Sequence, residues 1–91
     1  MKKAVQLLVS GTVQGVGFRY YVNRSARQNR VAGWVKNLED GRVEIFAQAD
    51  EKDLDAFIRD MRKGSRFSTV SDVQVEPQSV DPHFREFRII G

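Results

Sequence analysis

An arginine at the close of a glycine-rich run, Gly11-Thr12-Val13-Gln14-Gly15-Val16-Gly17-Phe18-Arg19, brings together the groups needed to hold a phosphate. Its guanidinium is a planar fork of N–H donors that matches phosphate oxygens two at a time. The glycines let the main chain turn tightly and leave its own N–H groups uncovered. Where such a run opens a helix, the first-turn N–H groups and the helix dipole add further positive potential. Arg19 then falls in or beside the first helical turn, where the dipole disfavours a cation and an acid would be expected. A bound anion would relieve that repulsion, so a local rule broken here points to a functional position.

A second informative stretch is Gly33-Trp34-Val35-Lys36-Asn37, followed by Leu38-Glu39-Asp40-Gly41-Arg42-Val43. Asn is depleted in strands and common at turns, so Asn37 taken alone reads as a structural residue at a hairpin mouth. Its functional alternative is a carboxamide that donates and accepts hydrogen bonds without titrating, suited to orienting a water molecule.

The elements that position these residues follow from periodicity. Ala4 to Val9 is an apolar, strand-like stretch ahead of the glycine run. Phe18, Tyr21, Val22, Ser25, Ala26 and Asn29 recur at helical spacing over Phe18 to Gln28, with Arg24, Arg27 and Arg30 on the opposite, solvated face. Val31 to Lys36 and Arg42 to Ala49 read as two strands joined through the turn signal Asp40-Gly41. Asp50 is placed to cap a second helix whose first turn holds Glu51 and Asp53. Its apolar stripe is Leu54, Phe57, Ile58 and Met61, and Lys63-Gly64 closes it. Val70 to Val75 alternates as a strand before Pro77, and Phe84 to Ile90 is a further strand or an extension of it. The order βαββαβ predicts an α+β, ferredoxin-like sandwich: an antiparallel sheet with two helices on one face, and residues 1–91 as one domain.

Several chemistries are excluded or disfavoured. The chain of 91 residues has no cysteine, which removes disulfides, thiolate catalysis and cysteine-held metal, and fits a reducing compartment such as the cytoplasm. Met1-Lys2-Lys3 and the apolar run after it mimic a signal peptide, but Gln6 interrupts the run and it is too short. No stretch approaches membrane-spanning length. A net charge of +3 helps to attract a small anion and is weak support for nucleic acid. There is no Walker A loop, since Lys63-Gly64-Ser65 has the wrong order. The dinucleotide fingerprint fails at Tyr20, where its third glycine belongs. Gln14 to Val22 superficially resembles the aromatic motif of RNA-recognition domains, but that motif lies on a third strand. Here it enters a helix, which would scatter Phe18, Tyr20 and Tyr21 around the axis.

Other residues receive plainer readings. His83, the lone histidine, stands beside Pro82 in a loop and reads as a surface residue. Asp50, Glu51, Asp53 and Asp55 resemble a metal cluster in composition only, since capping and solvation explain acids at a helix start. Tyr20 and Tyr21 read as packing or rim residues, and Trp34 as core or core-edge packing.

At the two singled-out stretches the chain resembles the acylphosphatases, small hydrolases of the carboxyl–phosphate mixed anhydride. The family's first signature, Gly-x-Val-Gln-Gly-Val-x-Phe-Arg, is matched at every defined position from Gly11 to Arg19. The second is matched through Gly33, Trp34, Val35, Lys36, Asn37, Gly41 and Val43. Two departures concern local turns. Ala49 replaces a glycine usual in the family, and Asn29-Arg30 stands where Leu-Gly is common, with Asn29 expected to take the left-handed conformation.

The resemblance implies that Arg19 binds the phosphate as a catalytic residue and that Asn37 positions the attacking water. It implies a cradle of main-chain amides over Gly15, Val16, Gly17 and Phe18. It further implies a monomer that needs no cofactor and no metal, with the substrate's own phosphate taking the proton from water. Acyl phosphate is then the substrate, and inorganic phosphate the product and an inhibitor; no nucleic acid or membrane partner is expected. Phosphoryl transfer chiefly demands placement and charge stabilisation, which this residue set supplies. The alternatives are a phosphate-binding module without turnover, and less favoured, a ferredoxin-like RNA-binding domain. A related domain heads the large carbamoyl-transferring hydrogenase maturation proteins; a chain ending at Gly91 after a complete element set suggests the stand-alone enzyme.

Overall fold

The computed structural model of the chain describes residues 1–91. Strand β1 (Lys2–Thr12) leads through the glycine run to helix α1 (Phe18–Gln28). Strands β2 (Ala32–Asn37) and β3 (Val43–Asp50) form the expected hairpin, followed directly by helix α2 (Glu51–Lys63). Strands β4 (Thr69–Gln78) and β5 (Phe87–Ile89) complete the chain.

The strands make one sheet in the order β4-β1-β3-β2-β5. The first four pair antiparallel, as the βαββαβ order predicts, with Leu7 opposite Ile45 and Val75, and Asn37 opposite Val43. The C-terminal apolar run forms a further strand rather than an extension of β4. It crosses to the opposite edge and pairs parallel to β2, with Phe87 beside Gly33 and Ile89 beside Val35, which makes the sheet mixed.

Period-2 alternation decides which side chains meet the helices. Leu7, Val9, Val35, Ile45, Ala47 and Phe87 point to the helical face and join one buried cluster with Phe18, Val22, Leu54 and Phe57. Burial of the apolar stripe Leu54, Phe57 and Met61 contributes about 1.5–3 kcal/mol per side chain and pins α2 to the sheet. The helices are tied to each other by polar contacts: Ser25 Oγ donates to Asp60 Oδ2 at 2.6 Å, and the Tyr21 hydroxyl donates to the Asp60 carbonyl at 2.7 Å.

The opposite sheet face is covered in part by the segment between β4 and β5. Gln48, buried in that face, donates to the carbonyls of Asp81 and Phe84 and accepts from the Asp81 N–H. Phe84 packs on Phe46, which stacks on Trp34, so Trp34 is a half-buried residue of this second, smaller layer.

Two local expectations are corrected. Asp50 makes no side-chain cap on α2: it ends β3, and its carboxylate lies 3.7 Å from the Met1 amino group, while the Glu51 N–H donates to the Met1 carbonyl. At the end of α1 the left-handed residue is Arg30 (φ 58°), not Asn29 (φ −102°). The Val31 N–H reaches back to the Ala26 carbonyl and the Arg30 N–H to that of Arg27. This double closure requires the left-handed turn one residue beyond the cap, which places it on Arg30. Asn29 contributes through its side chain, donating to the Ser25 carbonyl at 2.9 Å. Ala49 sits in regular strand, buried in the core, and strains nothing.

Candidate active site

Both signature stretches lie at one end of the sheet. Thr12 at the exit of β1 pairs with Thr69 at the entry of β4, and Asn37 at the exit of β2 pairs with Val43 at the entry of β3. The loop from Val13 to Gly17 leaves β1 there and turns into α1. Gly15 and Gly17 carry it through left-handed conformations (φ 74° and 78°), which an L side chain adopts only under strain. The amide N–H groups of Gly15, Val16, Gly17, Phe18, Arg19 and Tyr20 find no acceptor within the protein. They form a run of aligned donors at a helix start, which is the geometry of an anion cradle. No acid stands in the first turn of α1 to use that potential.

Arg19 projects from this first turn and donates through Nη1 to the oxygen of Gly91, the last residue of the sequence. The main-chain N–H of Asn37 donates to the same oxygen at 3.1 Å. Gly91 is brought there by β5, whose successor Ile90 donates to the Val35 carbonyl at 2.9 Å. The strand pairing therefore sets Arg19 and Asn37 side by side although they are remote in the chain.

The side chain of Asn37 follows Gly33 and Val35 on the helical face of β2, just past the edge of the core. Its Oδ1 is buried and has no hydrogen-bond partner in the protein. Buried acceptors are normally satisfied, so an orphaned one asks for a donor from outside the chain. A water molecule has the groups to meet that need, since it can accept from an amide nitrogen and donate to a carboxamide oxygen.

Gln14 holds the two stretches in register. Its Nε2 donates to the carbonyls of Leu38 at 2.8 Å and Arg42 at 2.9 Å, the two ends of the hairpin connection that follows Asn37. Gln14 lies within the glycine motif, where nothing local indicates its task. A long amide amid glycines was the available signal, and only the hairpin's position reveals its acceptors.

The remaining side chains have separate tasks. Phe18 is 1% exposed and anchors α1 in the core, so only its amide can face a ligand, and it is unable to stack on a base. Val16 packs against the core from the loop. Tyr20 is exposed, whereas burial first, and then the nearby Asp60 carboxylate, raise the Tyr21 phenol above its ordinary value. His83 lies in the β4–β5 segment that covers the far end of the sheet and pairs with Asp81 at 2.9 Å. The acids at the start of α2 assemble no metal-ligating group.

Comparison with known proteins identifies the family. The acylphosphatase family model matches residues 5–89. The chain is 48% identical over 81 residues to an acylphosphatase of Bacillus subtilis, covering 88% of this chain and 89% of that protein. It is 46% identical over 89 residues to an acylphosphatase of Chlorobaculum tepidum, covering 98% and 97%. The crystal structure of the acylphosphatase from Bacillus subtilis superposes with a TM-score of 0.93 at 42% identity, over the whole of both chains. The chain belongs to the acylphosphatase family, and its reaction is the hydrolysis of an acyl phosphate to a carboxylate and inorganic phosphate.

Proposed function

We propose that Arg19 and the amides of Gly15, Val16, Gly17 and Phe18 bind the phosphoryl group, and that Asn37 orients the water that attacks it. The observation that carries this reading is the shared hold of Arg19 and Asn37 on Gly91, beside a row of amides without acceptors. The Gly91 contact occupies one N–H of the Arg19 fork and leaves its other donors without a protein acceptor. Those donors and the loop amides spread over the phosphoryl oxygens, where charge shifts as the bond to the acyl oxygen lengthens.

Asn37 holds water through the carboxamide, with Oδ1 taking one water proton in a hydrogen bond. The water oxygen bonds to phosphorus while the bond from phosphorus to the acyl oxygen breaks. The bonding pair leaves with the carboxylate, a weak base that needs no acid to help it depart. The water's proton passes to a phosphoryl oxygen, since no matched position of either signature is a carboxylate or imidazole, and Asp40 on the hairpin turn is held by Arg42. Inorganic phosphate then occupies the same cradle and inhibits.

No helix is long and apolar enough to cross a membrane. A single domain over residues 1–91, acting as a monomer in the cytoplasm with neither nucleic acid nor membrane as partner, is the setting that best fits a cradle for one small anion.

Benzoyl phosphate hydrolysis by the purified protein, with chelator present, tests the reading. The wild type should turn over, and Arg19→Ala should lower kcat/KM by at least ~10²-fold, the loss typical of one such donor. A folded Arg19→Ala protein with near-normal turnover would remove Arg19 from the mechanism. A folded wild type with none would leave a phosphate-binding module.

A further inference from the structure

The cradle opens on one side into a cleft of about 590 Å³. Its near wall is Val16 and Gly17 of the loop with Tyr20 and Arg24 of α1. Its far wall is the turn from Lys63 to Phe67 between α2 and β4. None of the 10 lining residues is acidic, whereas Arg24, Lys63 and Arg66 all line it and none of them takes part in an ion pair. Two aromatic rings stand open beside these cations, Tyr20 at 74% and Phe67 at 70% exposure. Arg66 lies over the Phe67 ring at 5.3 Å. In the same turn Ser65 Oγ is buried without a partner.

The strand order decides which end of the substrate this cleft receives. β1 lies between β4 and β3, so the loop leaving β1 has the α2–β4 turn on one side and the β2–β3 hairpin on the other. Asn37, on the hairpin side, brings the water. In-line displacement puts the departing oxygen opposite the attacking one, which sends the acyl group toward the cleft. The signature residues address only the phosphate; the residues around the acyl group are these unpaired cations.

We infer that the cleft is the acyl subsite and that it selects acyl phosphates carrying a second anionic group on the acyl chain, held by Arg24, Lys63 and Arg66. The inference rests on the assignment of Arg19 and Asn37 above. The aromatic rings of Tyr20 and Phe67 cover the carbon chain between the two charges, and the cations neutralise its far end. The carboxylate released by hydrolysis adds a negative charge on this side, which the same cations favour.

Succinyl phosphate and butyryl phosphate differ by a terminal carboxylate on chains of equal carbon number, and 3-phosphonopropionyl phosphate replaces that carboxylate with a phosphonate. At low salt kcat/KM for succinyl over butyryl phosphate should be about tenfold, and should fall toward one as ionic strength rises, as expected for exposed charges. A larger ratio for the phosphonate would assign the subsite to phosphorylated acyl groups, an equal or smaller one to dicarboxylic acids. In Arg24→Gln/Arg66→Gln, and separately in Lys63→Gln, the ratio should drop toward one through KM. A wild-type ratio near one with good butyryl phosphate turnover overturns the subsite and leaves the roles of Arg19 and Asn37 intact. A ratio unchanged in the variants removes these cations from it. Loss of turnover on every substrate by folded wild type overturns the underlying assignment and the subsite with it.

Discussion

The guanidinium of Arg19 and the main-chain N–H of Asn37 donate to one and the same oxygen, that of Gly91. The guanidinium and the Asn37 carboxamide are thereby held in fixed relation by the segment that follows the parallel strand β5. The phosphate-binding role proposed for Arg19 calls for a fork rather than a point charge, because one N–H is already spent on Gly91. Arg19→Lys should therefore lose most activity despite keeping the charge. Steady-state kinetics checks this; a kcat/KM within about threefold of wild type would mean that charge alone suffices.

Asn37→Ala removes the carboxamide but keeps the main-chain N–H that holds Gly91. Hydrolysis should fall by about 10²-fold or more while the inhibition constant for inorganic phosphate stays within a few-fold. Calorimetric titration with phosphate gives the second readout. A large loss of phosphate affinity would make Asn37 part of the cradle.

Gln14 acts through others. Gln14→Ala frees the loop from the carbonyls of Leu38 and Arg42, each of which keeps another N–H donor, so stability should fall by only about 1–2 kcal/mol. Misplacement of the cradle relative to Asn37 should cost about tenfold or more in kcat. Gln14→Glu, unable to donate to either carbonyl, should not rescue it. Unaltered kcat alongside reduced Tm would confine Gln14 to a structural role.

Arg30 holds a left-handed turn that glycine would hold without strain. Its side chain is exposed and makes no ion pair, so Arg30→Gly should stabilise by about 1 kcal/mol, a rise of about 4–8 °C in Tm for a domain of this size. Arg30→Ala keeps the β-carbon and should show no such gain. Equal Tm values for the two variants would refute the strain at this turn.

Stability should be flat between about pH 5 and pH 10 and fall outside that window. On the acid side, the Arg42 side chain bonded to Asp40 and the Lys3 side chain bonded to Glu51 hold both carboxyls below their ordinary values. The His83 main-chain N–H, and then its ring, do the same to Asp81. A lowered folded-state value gives stability above the unfolded value that is lost as pH falls through the folded one. On the alkaline side, Lys3 is raised by its bond to Glu51 and Tyr21 by burial, so their contributions are complete below the ordinary values and vanish as pH rises through the raised ones. Thermal melts of Glu51→Gln against wild type should show a Tm difference that narrows below about pH 4. A difference independent of pH would show that the ion pair contributes nothing.

Much of this was legible from residue order because the controlling physics is local. Glycine spacing, the cation at a helix start and the period-2 and period-3.6 apolar patterns specify the cradle, the helices and the first four strands within short windows. The capping of α2 departs from the local pattern because Asp50 meets the distant Met1, and the left-handed turn at Arg30 follows from hydrogen bonds that close only once α1 has ended. The roles of Gln14 and Gly91 were out of reach for the same reason: their partners lie across the sheet. Residue order sets which groups are available: an arginine fork, a carboxamide and a glycine-rich run of main-chain amides. The crossing of β5 to the far edge, parallel to β2, emerges only on folding, because it depends on Phe87 and Ile89 finding the open edge of the core. That crossing delivers the oxygen on which Arg19 and Asn37 meet.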